Sequence, residues 1–105
     1  MNMELKDFVS YTEWLFNQVQ KDKDTFTICE YINETIKNAD ISLYDIFATN
    51  RGHYVTIGYF EKPISSINMM LIQRFFGELG WFVLFTNTKK GDMGWEYTIS
   101  INKIK

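Results

Sequence analysis

The chain has 105 residues, which is enough for one domain and too few for two. With 46% apolar and 23% charged residues it has the composition of a globular domain, and its net charge of −2 argues against nucleic-acid binding by charge alone. The single cysteine, Cys29, excludes an internal disulfide.

The same sequence predicts a cytoplasmic location. The first residues lack the basic region and apolar run of a secretory signal. The most apolar window, residues 67–85, is interrupted by polar and charged side chains and by two glycines. We therefore expect no membrane span and no membrane partner.

The first predicted helix covers residues 4–21. Seven side chains follow the i, i+3, i+4, i+7 spacing of one helical stripe: Leu5, Phe8, Val9, Thr12, Leu15, Phe16 and Val19. Tyr11 and Trp14 lie beside this stripe and widen it. The charged run at residues 21–24 is then expected to be a solvated link to the next helix.

Two capping boxes predict the next helices. Thr27 followed by Glu30 is typical of a helix N-terminus, and it predicts a helix over residues 28–37. Ser42 followed by Asp45 is a weaker form of the same signal, and it predicts a short helical piece over residues 43–48.

The second half of the chain contains three predicted strands with one helix among them. The strands are expected over residues 53–60, 81–86 and 95–103. Ser65 or Ser66 can cap a helix over residues 67–79, which Gly80 can end.

The last strand has the clearest pattern in the chain. Four apolar side chains alternate with four polar ones: Trp95, Tyr97, Ile99 and Ile101 against Glu96, Thr98, Ser100 and Asn102. A period of two places one set on a core and the other in water. The polar residues 88–94 predict a hairpin with a long tip between the last two strands.

These elements predict a two-layer α+β domain in which N-terminal helices precede a β-α-β-β unit. We expect a three-stranded mixed sheet, with the first two strands parallel across the helix and the third strand antiparallel to its partner in a C-terminal β-hairpin. The helix over residues 67–79 is apolar nearly all round. It is therefore expected at the centre of the domain, against the sheet and the first helix.

The sequence offers no set of residues for catalysis. Cys29 and His53 are the only thiol and the only imidazole, and nothing in the sequence brings them together. Glu30 and Glu34 are one helical turn apart, which is typical of a solvated acidic face. The spacings of zinc sites, EF-hands and phosphate-binding loops are missing. We expect no enzyme, no cofactor and no metal; a small-ligand domain or enzyme, with a pocket between helix and sheet, is the second alternative.

The hairpin tip supports a first alternative function, the binding of nucleic acid. A helix followed by a hairpin with a basic tip loosely resembles the last helix and wing of winged-helix DNA-binding proteins. This resemblance implies that Lys89 and Lys90 contact phosphate, with Arg51 and Lys103 adding positive charge. Against it, the helix over residues 67–79 offers few polar side chains where a recognition helix contacts bases.

An acidic and aromatic surface is the leading candidate site. Residues 1–50 carry nine acidic residues against four lysines, whereas residues 51–105 carry seven basic residues against four acidic ones. The candidate partner-binding residues are Glu30, Asn33, Glu34, Asp40, Asp45, Tyr44 and Trp14. Such a surface attracts a basic partner, and its aromatic side chains can serve as anchors.

These patterns predict a non-catalytic protein–protein interaction module that blocks a macromolecular partner. Short, acidic, single-domain chains without catalytic residues are typical of inhibitors, immunity proteins and modulators encoded by phages or plasmids, an analogy of type and not of sequence. A nucleic-acid-binding regulator is the alternative. A homodimer through an uncovered apolar helix or a sheet edge is compatible with all three hypotheses, the small-ligand domain or enzyme included.

Overall fold

The structure is a computed structural model that describes residues 4, 8–43, 46–47 and 52–104. In chain order its elements are α1 (Tyr11–Val19), α2 (Lys23–Lys37), a 3-10 turn (Ile41–Leu43), β1 (His53–Phe60), α3 (Ser66–Glu78), β2 (Trp81–Gly91) and β3 (Gly94–Lys103). The predicted α+β class is confirmed. The bounds of β1 are those predicted, and those of α3 differ by one residue at each end.

Helix α1 is shorter than predicted. It begins after Ser10, whose extended backbone and side-chain oxygen cap the helix by accepting the Glu13 N–H at 3.1 Å. Phe8 and Val9 therefore lie outside the helix and are exposed, although their spacing continues the stripe. The predicted residues 5–7 lie outside the described residues.

Helix α2 begins five residues earlier than predicted, because Asp22 is its N-cap in place of Thr27. The Asp22 carboxylate accepts hydrogen bonds from both the N–H and the hydroxyl of Thr25. Thr27 instead donates its hydroxyl to the carbonyl of Lys23 inside the helix, at 2.9 Å. The expected link at residues 21–24 is thus a cap and first turn, and acidic Asp24 in that turn suits the positive end of the helix.

The short helix predicted over residues 43–48 is only partly open to comparison. The chain forms a 3-10 turn earlier, at Ile41–Leu43, and Ile46 and Phe47 inside the predicted range are helical. The Asp40 carboxylate accepts the N–H of Ser42 at 2.9 Å, so Asp40 holds the start of this turn. Residues 44, 45 and 48 lie outside the described residues.

The sheet has the strand order β1-β3-β2, and both neighbouring pairs are antiparallel. The first two strands are parallel to each other, as predicted, but they are not neighbours, because β3 lies between them. The expectation of a mixed sheet is therefore wrong. The tight β2–β3 connection pairs those strands, and β1 then pairs with the free edge of β3, from His53 opposite Ile101 to Phe60 opposite Trp95.

The β2–β3 hairpin has a two-residue tip and no long polar turn. Gly91 pairs with Gly94, and Asp92 and Met93 alone connect the strands. Gly94 has φ +121°, and a Cβ there would lie 2.5 Å from the carbonyl oxygen of Phe60, so only glycine fits this position. At about 3.3 Å per residue β2 is about 36 Å long, against about 20 Å for α3, so the far half of the hairpin extends past the helices.

The core lies between the helices and one face of the sheet. Tyr97, Ile99 and Ile101 of β3 are fully buried on this face, as their alternation predicts. On the opposite face the expectation of solvent is wrong for Ser100 and Asn102, which are also buried. Gly52 packs against both side chains: a Cβ there would contact Asn102 and lie 2.6 Å from the Ser100 hydroxyl oxygen.

Helix α3 is the central helix, as predicted, and it contacts both β2 and α1. Ser65 caps it by accepting the Asn68 N–H at 3.1 Å. Just before this cap, the backbone N–H of Ile64 donates to the buried hydroxyl of Tyr97 at 2.6 Å. This hydrogen bond joins the segment that leads into α3 to the central strand of the sheet.

The longest helix in the described ranges, α2, has 15 residues. None of the described helices combines the length and the apolar character needed to cross a membrane.

Candidate functional site

A groove of about 210 Å³ opens among the three helices. Its lining side chains come from all of them: Phe16 of α1, Phe26, Cys29, Glu30 and Asn33 of α2, and Phe75, Phe76 and Leu79 at the end of α3. We call this set of residues the acid-rimmed groove. It joins two of the predicted partner-binding residues, Glu30 and Asn33, to apolar side chains that the sequence did not single out.

Aromatic rings form the floor of the groove. The ring centroid of Phe16 lies 6.1 Å from that of Phe26 and 5.6 Å from that of Phe75, and Phe75 lies 5.4 Å from Phe76. These spacings are typical of favourable aromatic pairs. Phe16 nevertheless remains 40% exposed, and Leu79 remains 50% exposed. The floor therefore presents apolar surface that the described residues leave exposed.

The α2 side of the groove follows from helical spacing. Phe26, Cys29, Glu30 and Asn33 stand at i, i+3, i+4 and i+7, so they occupy one stripe of the helix. Residue 26 could not be placed on this stripe from sequence, because the predicted helix began only at residue 28. The missed signal is the N-cap at Asp22, which brings Phe26 into the first turns of α2.

The electrostatics of the groove are acidic. Glu30 is the only charged side chain among the described lining residues. Burial, with a smaller contribution from the negative charge of Glu30, raises the pKa of the Cys29 thiol to about 12. Cys29 is thus a neutral, apolar part of the groove wall and not a thiolate nucleophile at neutral pH.

Glu34 extends the acidic rim by one helical turn. Its carboxylate lies 3.6 Å from the Lys37 ammonium group, in a solvent-exposed pair of the kind that contributes little to stability. No described Lys or Arg lies within salt-bridge distance of Glu30. Glu30, which borders the apolar floor, therefore has no salt bridge to a Lys of its own helix, whereas Glu34 has one.

Trp14 lies apart from the acid-rimmed groove. It stacks on Tyr11, with ring centroids 6.3 Å apart and planes inclined by 15°. Two residues correspond to a turn of about 200° on a helix, so Trp14 and Phe16 face opposite sides of α1. Tyr11 instead lines a second concavity of about 260 Å³, beside Arg74, Glu78 and the start of β2.

Asp40 follows α2 and faces the 3-10 turn. Hydrogen bonds from the hydroxyl and the N–H of Ser42 lower the pKa of its carboxyl group. Asp40 is exposed, but its Oδ1 atom accepts hydrogen bonds from both the N–H and the hydroxyl of Ser42. The other two predicted members of this surface, Tyr44 and Asp45, lie outside the described residues.

The two lysines of the alternative site lie on β2 and not in a turn. Lys89 is directly opposite Glu96 in the β2–β3 register, and the Lys90 ammonium group lies 5.8 Å from the centroid of the Trp95 ring. Together with Tyr59 and Asp92 they line a concavity of about 250 Å³. Asp92 and Glu96 balance the two lysines, so this part of the hairpin has no net positive charge.

The remaining basic residues of that alternative are not brought to the tip. Lys103 pairs with Trp81 at the opposite end of β3, seven residues from Glu96. At about 3.3 Å per residue this separation is about 23 Å along the strand. Arg51 lies outside the described residues.

The described residues contain no group of three His, Cys, Asp or Glu side chains that could hold a metal ion. His53 packs edge-on against Phe47, with ring centroids 5.8 Å apart, whereas Cys29 lines the acid-rimmed groove. The two residues of the only thiol–imidazole combination therefore have different surroundings.

Comparisons of the chain with protein-family models, with curated proteins and with solved structures found no match. The groove and the chemistry of its side chains are therefore the features of this chain that indicate a function.

Proposed function

We propose that this chain is a non-catalytic protein-interaction domain that binds a protein partner through the acid-rimmed groove and blocks or modulates it by occlusion. The observation that carries the proposal is the combination of exposed apolar side chains, Phe16 and Leu79, with the carboxylate of Glu30, which forms no salt bridge with any described residue. Protein interfaces have this composition, with an apolar centre and a polar rim.

The size of the groove favours a macromolecule over a free small molecule. Small-ligand pockets typically enclose about 300–1,000 Å³ and bury most of the ligand. The acid-rimmed groove encloses about 210 Å³ and is open on one side. A space of this size suits one or two side chains inserted from a partner surface, which is how interface anchors bind.

The proposed inhibitor role is supported by the small size, the acidic charge and the lack of recognisable catalytic residues in the sequence. As a small acidic domain without a group of catalytic residues, the protein would act on another macromolecule by covering part of its surface. A modulator encoded by a phage or plasmid, or an immunity protein, would act in this way. The acidic rim would raise the rate of association with a basic partner and exclude acidic ones.

The test is capture from a lysate of the native host with two matched variants. Leu79→Glu places a charge in the groove, whereas Leu84→Glu places the same charge at a leucine that is 39% exposed on the face of the sheet opposite the core. The lysate is treated with nuclease before capture, and bound proteins are identified by mass spectrometry.

We expect a stoichiometric protein that is retained by the wild type and by Leu84→Glu and lost with Leu79→Glu. Retention of the same protein by both variants would show that the groove is not the binding site. Recovery of nucleic acid alone, sensitive to nuclease and salt, would favour the regulator that uses Lys89 and Lys90.

A further inference from the structure

We infer that the partner segment that occupies the acid-rimmed groove is a basic amphipathic helix of a second protein. The inference rests on the proposed function and specifies the chemistry of its partner. Three features of the groove carry it: the secondary structure of its walls, its length, and the charge on its rim.

The walls of the groove are helices. Phe26 to Asn33 belong to α2, and Phe75 and Phe76 belong to α3. The backbone groups of these walls are hydrogen-bonded within their own helices, so they offer no ladder to an extended peptide. An extended segment would leave its own N–H and C=O groups without partners over an apolar floor, which is unfavourable. A helical segment satisfies its own backbone.

The length of the groove suits about two helical turns. The ring of Phe16 packs against the rings of both Phe26 and Phe75, so it bridges α2 and α3. From Phe26 to Asn33 the rise along α2 is about 10 Å. A helix laid along this distance places two apolar side chains, at i and i+3 or i+4, against Phe16 and Leu79.

The rim sets the charge of the partner. Glu30 borders the floor, and Glu34 lies one turn further along the same side of α2. A helix packed beside α2 would bring Lys or Arg residues, also one turn apart, to these two carboxylates. Such pairs at a solvent-exposed rim act mainly on the rate of association and on the choice of partner. The apolar anchors would provide most of the affinity.

The experiment is a selection from a display library of random 14-residue peptides. The full chain is the immobilised target, and soluble Leu79→Glu protein is the competitor, so that only groove-dependent peptides are enriched. We expect the enriched peptides to share apolar residues at helical spacing, with Lys or Arg one turn from them. Enriched peptides that are acidic, or whose apolar residues alternate with period two, would overturn the inference.

Two measurements on synthetic copies of the enriched peptides test helix and charge separately. Proline in place of the central residue should weaken binding at least about tenfold, whereas alanine at the same position should not. Glu30→Lys should lower the association rate constant about threefold or more at low salt and reduce its salt dependence. Equal binding of the proline and alanine peptides would refute the helical conformation of the bound segment. Unchanged association kinetics in Glu30→Lys would refute its basic charge.

The experiments give different results if the partner chemistry is wrong and if the proposed function is wrong. If host-protein capture depends on Leu79 but the selected peptides are extended or acidic, the groove binds protein and the partner chemistry is wrong. If neither host protein nor any peptide distinguishes wild type from Leu79→Glu, the proposed function itself is wrong.

Discussion

Removing one buried hydroxyl should measurably weaken this fold. In Tyr97→Phe the ring keeps its contacts with Phe60 and Phe85, whose centroids lie 5.9 and 6.0 Å away. The Ile64 N–H, however, loses the acceptor that it now reaches at 2.6 Å in a buried site. An unsatisfied buried donor costs about 1–3 kcal/mol, so the free energy of unfolding should fall by that amount. For a domain of this size we expect the melting temperature to fall by at least about 4 °C.

The assay is equilibrium unfolding in urea, with Tyr54→Phe as the matched control. Tyr54 is 56% exposed on β1, so loss of its hydroxyl should change stability by less than about 0.5 kcal/mol. The comparison holds only if both variants keep the wild-type dependence on urea concentration. If Tyr97→Phe is as stable as Tyr54→Phe, the Ile64 N–H has another partner and the assigned role of this hydrogen bond is refuted.

Four further predictions concern the backbone, the thiol (two of them) and the first turn of α2. Gly52→Ala should lower the free energy of unfolding by more than about 1 kcal/mol, because φ is +72° and a Cβ would meet the Asn102 side chain. Gly77→Ala, with open space around the added Cβ, should raise the free energy of unfolding by about 0.5–1 kcal/mol. Equal free energies of unfolding for the two variants in urea would contradict this prediction. Iodoacetamide at pH 8 should alkylate Cys29 at least about a hundredfold more slowly in the folded protein than in the urea-unfolded chain. Because folding raises the pKa of the Cys29 thiol, the thiol contributes to the free energy of unfolding in full below about pH 8.5, and this contribution is lost as the pH rises towards 12. A free energy of unfolding that does not change with pH in that window would count against burial of the thiol. Asp22→Ala should cost about 1 kcal/mol in a thermal melt followed by circular dichroism, since it removes the N-cap; an unchanged melt would assign the cap elsewhere.

Local periodicity predicted the order and type of the main helices and strands and the core side of the sheet, although not the starts of α1 and α2 or the length of β2. The alternation in residues 95–103 predicted which side chains of β3 face the helices, and Tyr97, Ile99 and Ile101 are all fully buried there. The run at residues 53–60 and the apolar helix after Ser65 were also evident from sequence. These features depend on neighbours within one strand or helix, where side-chain direction repeats with a fixed period.

Tertiary structure decided everything that depends on which elements become neighbours. The position of β3 between β1 and β2 made the sheet fully antiparallel, and the packing of Gly52 buried Ser100 and Asn102 on the side expected to face water. No period in the sequence encodes these contacts, because they join segments that are distant along the chain.

Some residues of the candidate site could be placed from the sequence, and others became part of it only through tertiary packing. Glu30 and Asn33 could be placed on the outer side of a helix from sequence alone, since helical spacing is local. Phe16, Phe26 and Leu79 became part of a site only when α1, α2 and α3 packed around one groove. The sequence by itself determined the acidic rim, and the packing of three helices determined the apolar floor beside it, because a concave surface is a property of several elements and not of one.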